Sequence, residues 1–123
     1  MSGREILVDT NILLYLLKGN DTIVEMLHGK GLFISFITEL ELIGYRGITT
    51  KEEKEVAALL NDCIIVSLDY RVKEKYVELR KKYSLKLADA IIAATSLVLQ
   101  IPLISSDKEF KLVKELTLIQ YNF

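Results

Sequence analysis

The sequence predicts an α/β fold on a mainly parallel sheet of four or five strands. Two observations carry this. Short apolar runs recur along the chain, and longer segments of helical hydrophobic period separate them, which is the alternation of βαβ units. The chain has 123 residues, enough to bury one core but not two, so one domain over residues 1–123 is expected.

The first apolar run covers residues 6–8, and helical patterns follow at roughly 11–18 and 21–28. A second run at 32–34 precedes helical patterns at 37–45 and 50–60. The third, 63–66, leads into 69–83 and 86–100; the fourth, 103–104, leads into a short helix at 107–114, and 116–119 closes the sheet. Capping chemistry supports several starts. "TKEE" at Thr50 to Glu53 has the form of a capping box, and Asp21 and Asp69 stand where an N-cap is wanted.

Composition narrows the function. Half of the residues are apolar and 27% are charged, with one proline and no linker or low-complexity stretch. The 16 basic and 17 acidic side chains leave a net charge of -1, so any contact with nucleic acid has to be local. Cys63 stands alone, which excludes an internal disulfide and suits a reducing compartment. "MSGREILVDT" has no apolar leader pattern, and residues 90–104 are too short and interrupted to span a bilayer. A cytoplasmic protein without a membrane partner is expected.

In open parallel sheets ligands gather where strands end and helices begin. Asp9 interrupts the apolar stretch "ILVDTNILLYLL" at such a junction, where an Asx-type cap and a metal site compete as explanations. Asp89 lies in a largely apolar helical pattern, where a carboxylate is expensive without a compensating cation or hydrogen bonds. Asp107 follows the fourth run, again as cap or ligand. In "ISFITELELIGY", Glu39 and Glu41 lie roughly 200° apart around a helix and cannot share a target. Thr38 and Glu41 share one face, which favours Glu41 as the inward acid. One shared cause explains all four acids more simply than independent coincidences. A carboxylate cluster without Cys or His matches Mg²⁺ or Mn²⁺, ions that prefer oxygen donors and commonly hold a phosphate in such sites.

Absences exclude other chemistries. His28 is the only histidine, in a polar setting, so two-histidine ribonuclease chemistry is excluded and His28 reads as a surface residue. Neither "GKG" at 29–31 nor "GYRG" at 44–47 has phosphate-loop or dinucleotide spacing.

With these residues in hand, the sequence resembles the PIN-domain ribonucleases, most closely the short VapC-type toxins of toxin–antitoxin pairs. "VDTNILLYLL", "ISFITELEL", "LKLADAIIAA" and "LISSDKEF" are similar to four family motifs in the same order and spacing. The resemblance implies a PIN-like three-layer α/β/α fold and an acidic site of Asp9, Glu41, Asp89 and Asp107. Asn11, Thr38 and Ser105 are its supporting polar groups, and Glu109 stands close enough to Asp107 to supplement it. It also implies Mg²⁺- or Mn²⁺-dependent cleavage of single-stranded RNA, a homodimer, and a small VapB-like antitoxin whose tail enters the cleft.

In the empty protein the clustered acids repel, so some are expected to titrate upward. For substrate contact the candidates are Arg46, with Tyr45, and Arg80, Lys82 and Lys86 at the lower end of the densest basic stretch, residues 70–86. Two alternatives remain: a PIN-fold processing nuclease that is not a toxin, and, from another class, a receiver domain with Asp69 as phosphoacceptor. An aspartate-nucleophile phosphatase ranks below both, because Asn11 stands where its second acid belongs.

Overall fold

The structure is a computed structural model and describes residues 4–122. Residues 1–3, part of the stretch read above for a leader, and Phe123 lie outside the described residues. The elements run β1 (Glu5–Val8), α1 (Thr10–Leu17), α2 (Asp21–Leu27), β2 (Gly31–Ser35), α3 (Phe36–Ile43) and α4 (Thr50–Asn61). They continue with β3 (Ile64–Val66), α5 (Tyr70–Lys82), α6 (Leu87–Leu99), β4 (Leu103–Ser105), a 3₁₀ helix (Lys108–Leu112) and β5 (Leu118–Gln120).

All five strands are parallel, in the order β3-β2-β1-β4-β5. Period-two alternation sorts each strand onto two cores. Leu7 and Leu103 face α5, α6 and the 3₁₀ helix, packing with Leu79, Ile92 and Phe110. Ile6, Val8 and Ile104 face α1 to α4, packing with Ile12, Leu42 and Val56. The result is the expected three-layer α/β/α arrangement of the PIN-like fold. The order is also incompatible with the receiver alternative, whose flavodoxin-like sheet places β1 between β2 and β3.

Boundaries moved where local hydrogen bonding outweighed apolar pattern. Cys63 N–H bonds to the Leu60 carbonyl and closes α4, so the third strand starts at Ile64. Burial, with Asp62 second, pushes its thiol up to about 11, and the side chain packs partly buried against the core under α1 to α4. Leu116 N–H closes a turn on Val113, which delays β5 to Leu118. The helix expected at residues 107–114 is a 3₁₀ helix, in which side chains three apart eclipse, and Phe110 and Val113 are the pair turned into the core. Asn20, not Asp21, caps α2, accepting from Ile23 N–H at 3.0 Å. Asp69 caps α5 as expected.

The capping box sits one residue earlier than the sequence pattern indicated. Thr49 Oγ1 accepts from Glu52 N–H, and Glu52 Oε1 accepts from Thr49 N–H, both at 3.1 Å. Thr49→Ala is therefore expected to cost about 1 kcal/mol in urea unfolding, with Thr50→Ala nearly neutral. The reverse ranking would restore the "TKEE" register. Among the described residues, no helix is long and apolar enough to cross a membrane.

Candidate metal centre

In this sheet the chain runs outward from β1 to β2 and β3, then returns to the other side of β1 for β4. The switch point therefore lies between the carboxyl ends of β1 and β4, where open α/β sheets form their ligand crevice. Asp9 leaves β1 there, Ser105 ends β4, and Asp107 follows it. The crevice is a cleft of about 480 Å³ whose lining includes Asp9, Asn11, Glu41, Arg46, Asp89 and Asp107.

Asp9 is only 6% exposed, and its two oxygens are held separately. Oδ1 accepts from Thr10 N–H at 2.8 Å, the start of α1, and Oδ2 accepts from Ser105 Oγ at 2.6 Å. The opening "DTN" is thus both a cap and a wall of the cleft. Ser105 is fully buried, and its Oγ also accepts from Asp107 N–H at 2.9 Å. One hydroxyl joins the acids of β1 and β4. Asp107 Oδ1 in turn accepts from Glu109 N–H at 2.9 Å, starting the 3₁₀ helix.

Glu41 reaches the cleft from the second half of α3 and is solvent-exposed within it, whereas Glu39 does not line it. Thr10 Oγ1 donates to Glu41 Oε1 at 2.7 Å and lies 3.2 Å from Thr38 Oγ1. A hydroxyl has one hydrogen, so Thr38 is left as the donor to Thr10. Thr38 is buried and anchors this chain of hydroxyls. Thr10 was missed as a functional residue from sequence, although it occupies the middle of "DTN".

Asp89 lies in the first turn of α6, nearer the helix start than its apolar setting implied, and it is half-buried. No ion pair or hydrogen bond to its carboxylate forms among the described residues, so no protein group there compensates its burial. Burial, then the charges of Asp107, Asp9 and Glu109, push Asp89 up to about 6, against a weaker pull from Lys86. Asp9 is also raised, chiefly by burial, which outweighs the Ser105 and Thr10 hydrogen bonds. The expected upward titration is present, but burial ranks above mutual repulsion as its cause.

Carboxylate oxygens of Asp89, Asp107 and Glu109 lie within 4.8 Å of one another. With Asp9 and Glu41 they form an all-oxygen donor set without His or Cys, which fits Mg²⁺ or Mn²⁺ and fits Zn²⁺ poorly. Asn11 adds a buried Oδ1 without a hydrogen-bond partner among the described residues, an acceptor suited to a hydrated cation.

The other candidates divide. Arg46 and Tyr45 line the cleft. Lys86 is exposed as the N-cap residue of α6, three positions before Asp89. Arg80 donates to Tyr76 Oη at 2.9 Å, and Lys82 pairs with Glu115 at 3.1 Å, so neither belongs to the cleft lining. Asp69 is an exposed cap, bonded to Val72 N–H and Arg71, also outside it. His28 is exposed, as expected.

A parallel sheet of this order with carboxylates converging on its switch point defines a PIN-type α/β protein. The PIN domain family model matches residues 6–116, and the chain belongs to that family. A toxin–antitoxin complex from Klebsiella pneumoniae is similar at 30% identity and a TM-score of 0.82, covering 96% of this chain and 99% of that one. VapBC-1 from nontypeable Haemophilus influenzae is similar at 26% identity and 0.78, covering 94% and 97%. VapBC2 from Rickettsia felis, bound to a DNA fragment from its promoter, shares the fold at 22% identity and 0.85, covering 96% and 99%. No curated protein matches. The resemblance to VapC-type PIN toxins drawn from the four motifs holds.

Proposed function

We propose that residues 1–123 form a single PIN-like domain acting as a metal-dependent endoribonuclease on single-stranded RNA, the toxin of a VapBC-type pair. The reading is carried by the convergence of Asp9, Glu41, Asp89 and Asp107 on one cleft at the sheet's switch point, with Glu109 beside two of them.

Asp89, Asp107 and Glu109 would hold the cation, with Asp9 and Glu41 completing the acidic wall. When bound, Mg²⁺ or Mn²⁺ supplies an activated water at neutral pH and offsets charge on the scissile phosphate. The protein's own part is positioning. Ser105 fixes Asp9 and Asp107 relative to each other, and the Thr38–Thr10 hydroxyl chain fixes Glu41. Arg46 brings a cation to the cleft edge, where it can meet an RNA phosphate.

The antitoxin reading is supported by a second groove, in which Leu17, Leu42, Ile48 and Val56 are joined by Lys18, Glu52 and Glu55. Leu14 and Tyr45 line both this groove and the acidic cleft, so a peptide seated in one can reach the other. Exposed Leu40 and Ile43 on α3 and Leu87 on α6 are apolar surface of the kind a second copy covers, which supports the homodimer. Cys63, a free thiol, agrees with a cytoplasmic setting.

A labelled single-stranded RNA is expected to be cut with Mn²⁺ and to remain intact in EDTA. Equal cleavage in EDTA would remove the metal from the account, and no cleavage with either ion would remove the ribonuclease.

A further inference from the structure

An acidic cleft repels the phosphates it has to hold, so a strand entering it needs cations close by. Two of the basic side chains expected to serve, Arg80 and Lys82, are committed to Tyr76 and Glu115. The structure offers others. A third pocket, of about 510 Å³, is lined by Tyr15, Ser106, Lys108, Lys111, Tyr121 and Asn122, with no carboxylate among them. Ser106 stands between Ser105 and Asp107, so this pocket begins one residue from the groups that hold Asp9.

The 3₁₀ geometry explains how the lysines come to share the pocket. In "DKEFKLV" a repeat of three residues sends Phe110 and Val113 inward, sets Glu109 off with Leu112, and brings Lys108 and Lys111 onto one side. An α-helix would splay the same pair by a further 60° or so. Among the described residues neither lysine is in an ion pair. Tyr15 and Tyr121 pack partly into the core beneath, which holds two aromatic rings at the pocket as stacking surfaces, and Asn122 and Ser106 add neutral hydrogen-bonding groups.

We infer that this pocket is the subsite for the nucleotide flanking the scissile phosphate, with Lys108 and Lys111 on a backbone phosphate and Tyr15 and Tyr121 against an unpaired base. The inference rests on the ribonuclease reading. It adds where the strand runs: from the acidic cleft over the end of β4 toward the end of β5, away from α5.

The test is fluorescence anisotropy of a labelled mixed-sequence single-stranded RNA in EDTA, which permits binding without cleavage. Wild type is compared with Lys108→Gln/Lys111→Gln and with Lys51→Gln/Lys54→Gln on the exposed face of α4. The pocket pair is expected to raise Kd about tenfold in 0.1 M salt and to lower the salt slope by about 1.4, two phosphate contacts' worth. It should leave calorimetric Mn²⁺ binding unchanged, and the α4 pair should change neither. An unchanged Kd and slope in the pocket pair would overturn the subsite while leaving the ribonuclease standing. A loss confined to a polyglutamate peptide, with RNA binding intact, would reassign the pocket to a protein partner and also overturn it. If wild type binds and cuts no RNA, both readings fall together.

Discussion

Asp89→Asn is expected to lose Mn²⁺ binding and RNA cleavage while making the metal-free protein more stable at neutral pH. The loss of cleavage should exceed the roughly 100-fold typical of removing a group that merely supports a ligand. The gain follows from linkage. In the folded chain Asp89 titrates at about 6, above its ordinary 3.8, so between these values the native state binds more protons than the unfolded one. Stability contributed by this group is therefore complete below about 4 and is lost as pH rises through 6. At full weight that difference is about 3 kcal/mol, and partial exposure reduces it to about 1–2 kcal/mol. Thermal melts in EDTA should place Asp89→Asn several degrees above wild type at pH 7 and level with it at pH 4. Saturating Mn²⁺ should close the gap from the other side, by stabilising wild type alone. A variant no more stable than wild type at pH 7 would mean that Asp89 is relieved in some other way.

The second large effect belongs to Ser105. Its hydroxyl satisfies Asp9 Oδ2 and Asp107 N–H at once, inside the core. Ser105→Ala strands a buried acceptor and a partly buried donor, for a cost of about 1–3 kcal/mol. It also removes the strongest of the contacts that restrain the Asp9 pKa, so Asp9 rises further and Mn²⁺ affinity falls about 10- to 100-fold at neutral pH. Because the lost affinity is partly protonation, its pH midpoint should move upward. Ser105→Thr retains the hydroxyl and should restore the midpoint, although its extra methyl in a filled site costs about 1 kcal/mol. A loss of stability without a change in the pH dependence of Mn²⁺ binding would reduce Ser105 to a packing residue.

Much of this was legible in the sequence because it depends on periodicity. Apolar runs split by helical segments gave the parallel sheet; "DTN", Asp89 and "SSD" fell on strand ends or helix starts, and Glu41 more than a turn into α3, all meeting at one crevice. What escaped depends on hydrogen bonds and on the third dimension. Thr10 appeared only as a residue between two more obvious ones, since its bond to Glu41 crosses 31 positions. Asp107 to Lys114 reads equally well as α-helix, and only the burial of both Phe110 and Val113 selects the tighter helix that gathers Lys108 and Lys111. Within the dense charge of residues 70–86, sequence cannot tell Lys82, paired with Glu115, from Lys86, left exposed three positions before Asp89, because pairing depends on the fold. Boundaries such as Cys63 and Leu116 slipped where a turn's N–H found a carbonyl before the strand could begin.

The central claim is that the carboxylates at the switch point form one divalent-cation site. Isothermal titration with Mn²⁺ of wild type, Asp89→Asn and Asp69→Asn tests it most directly, since both acids open helices but only Asp89 lines the cleft. Binding in wild type and Asp69→Asn with none in Asp89→Asn is the expected result, and wild-type affinity in Asp89→Asn would contradict it.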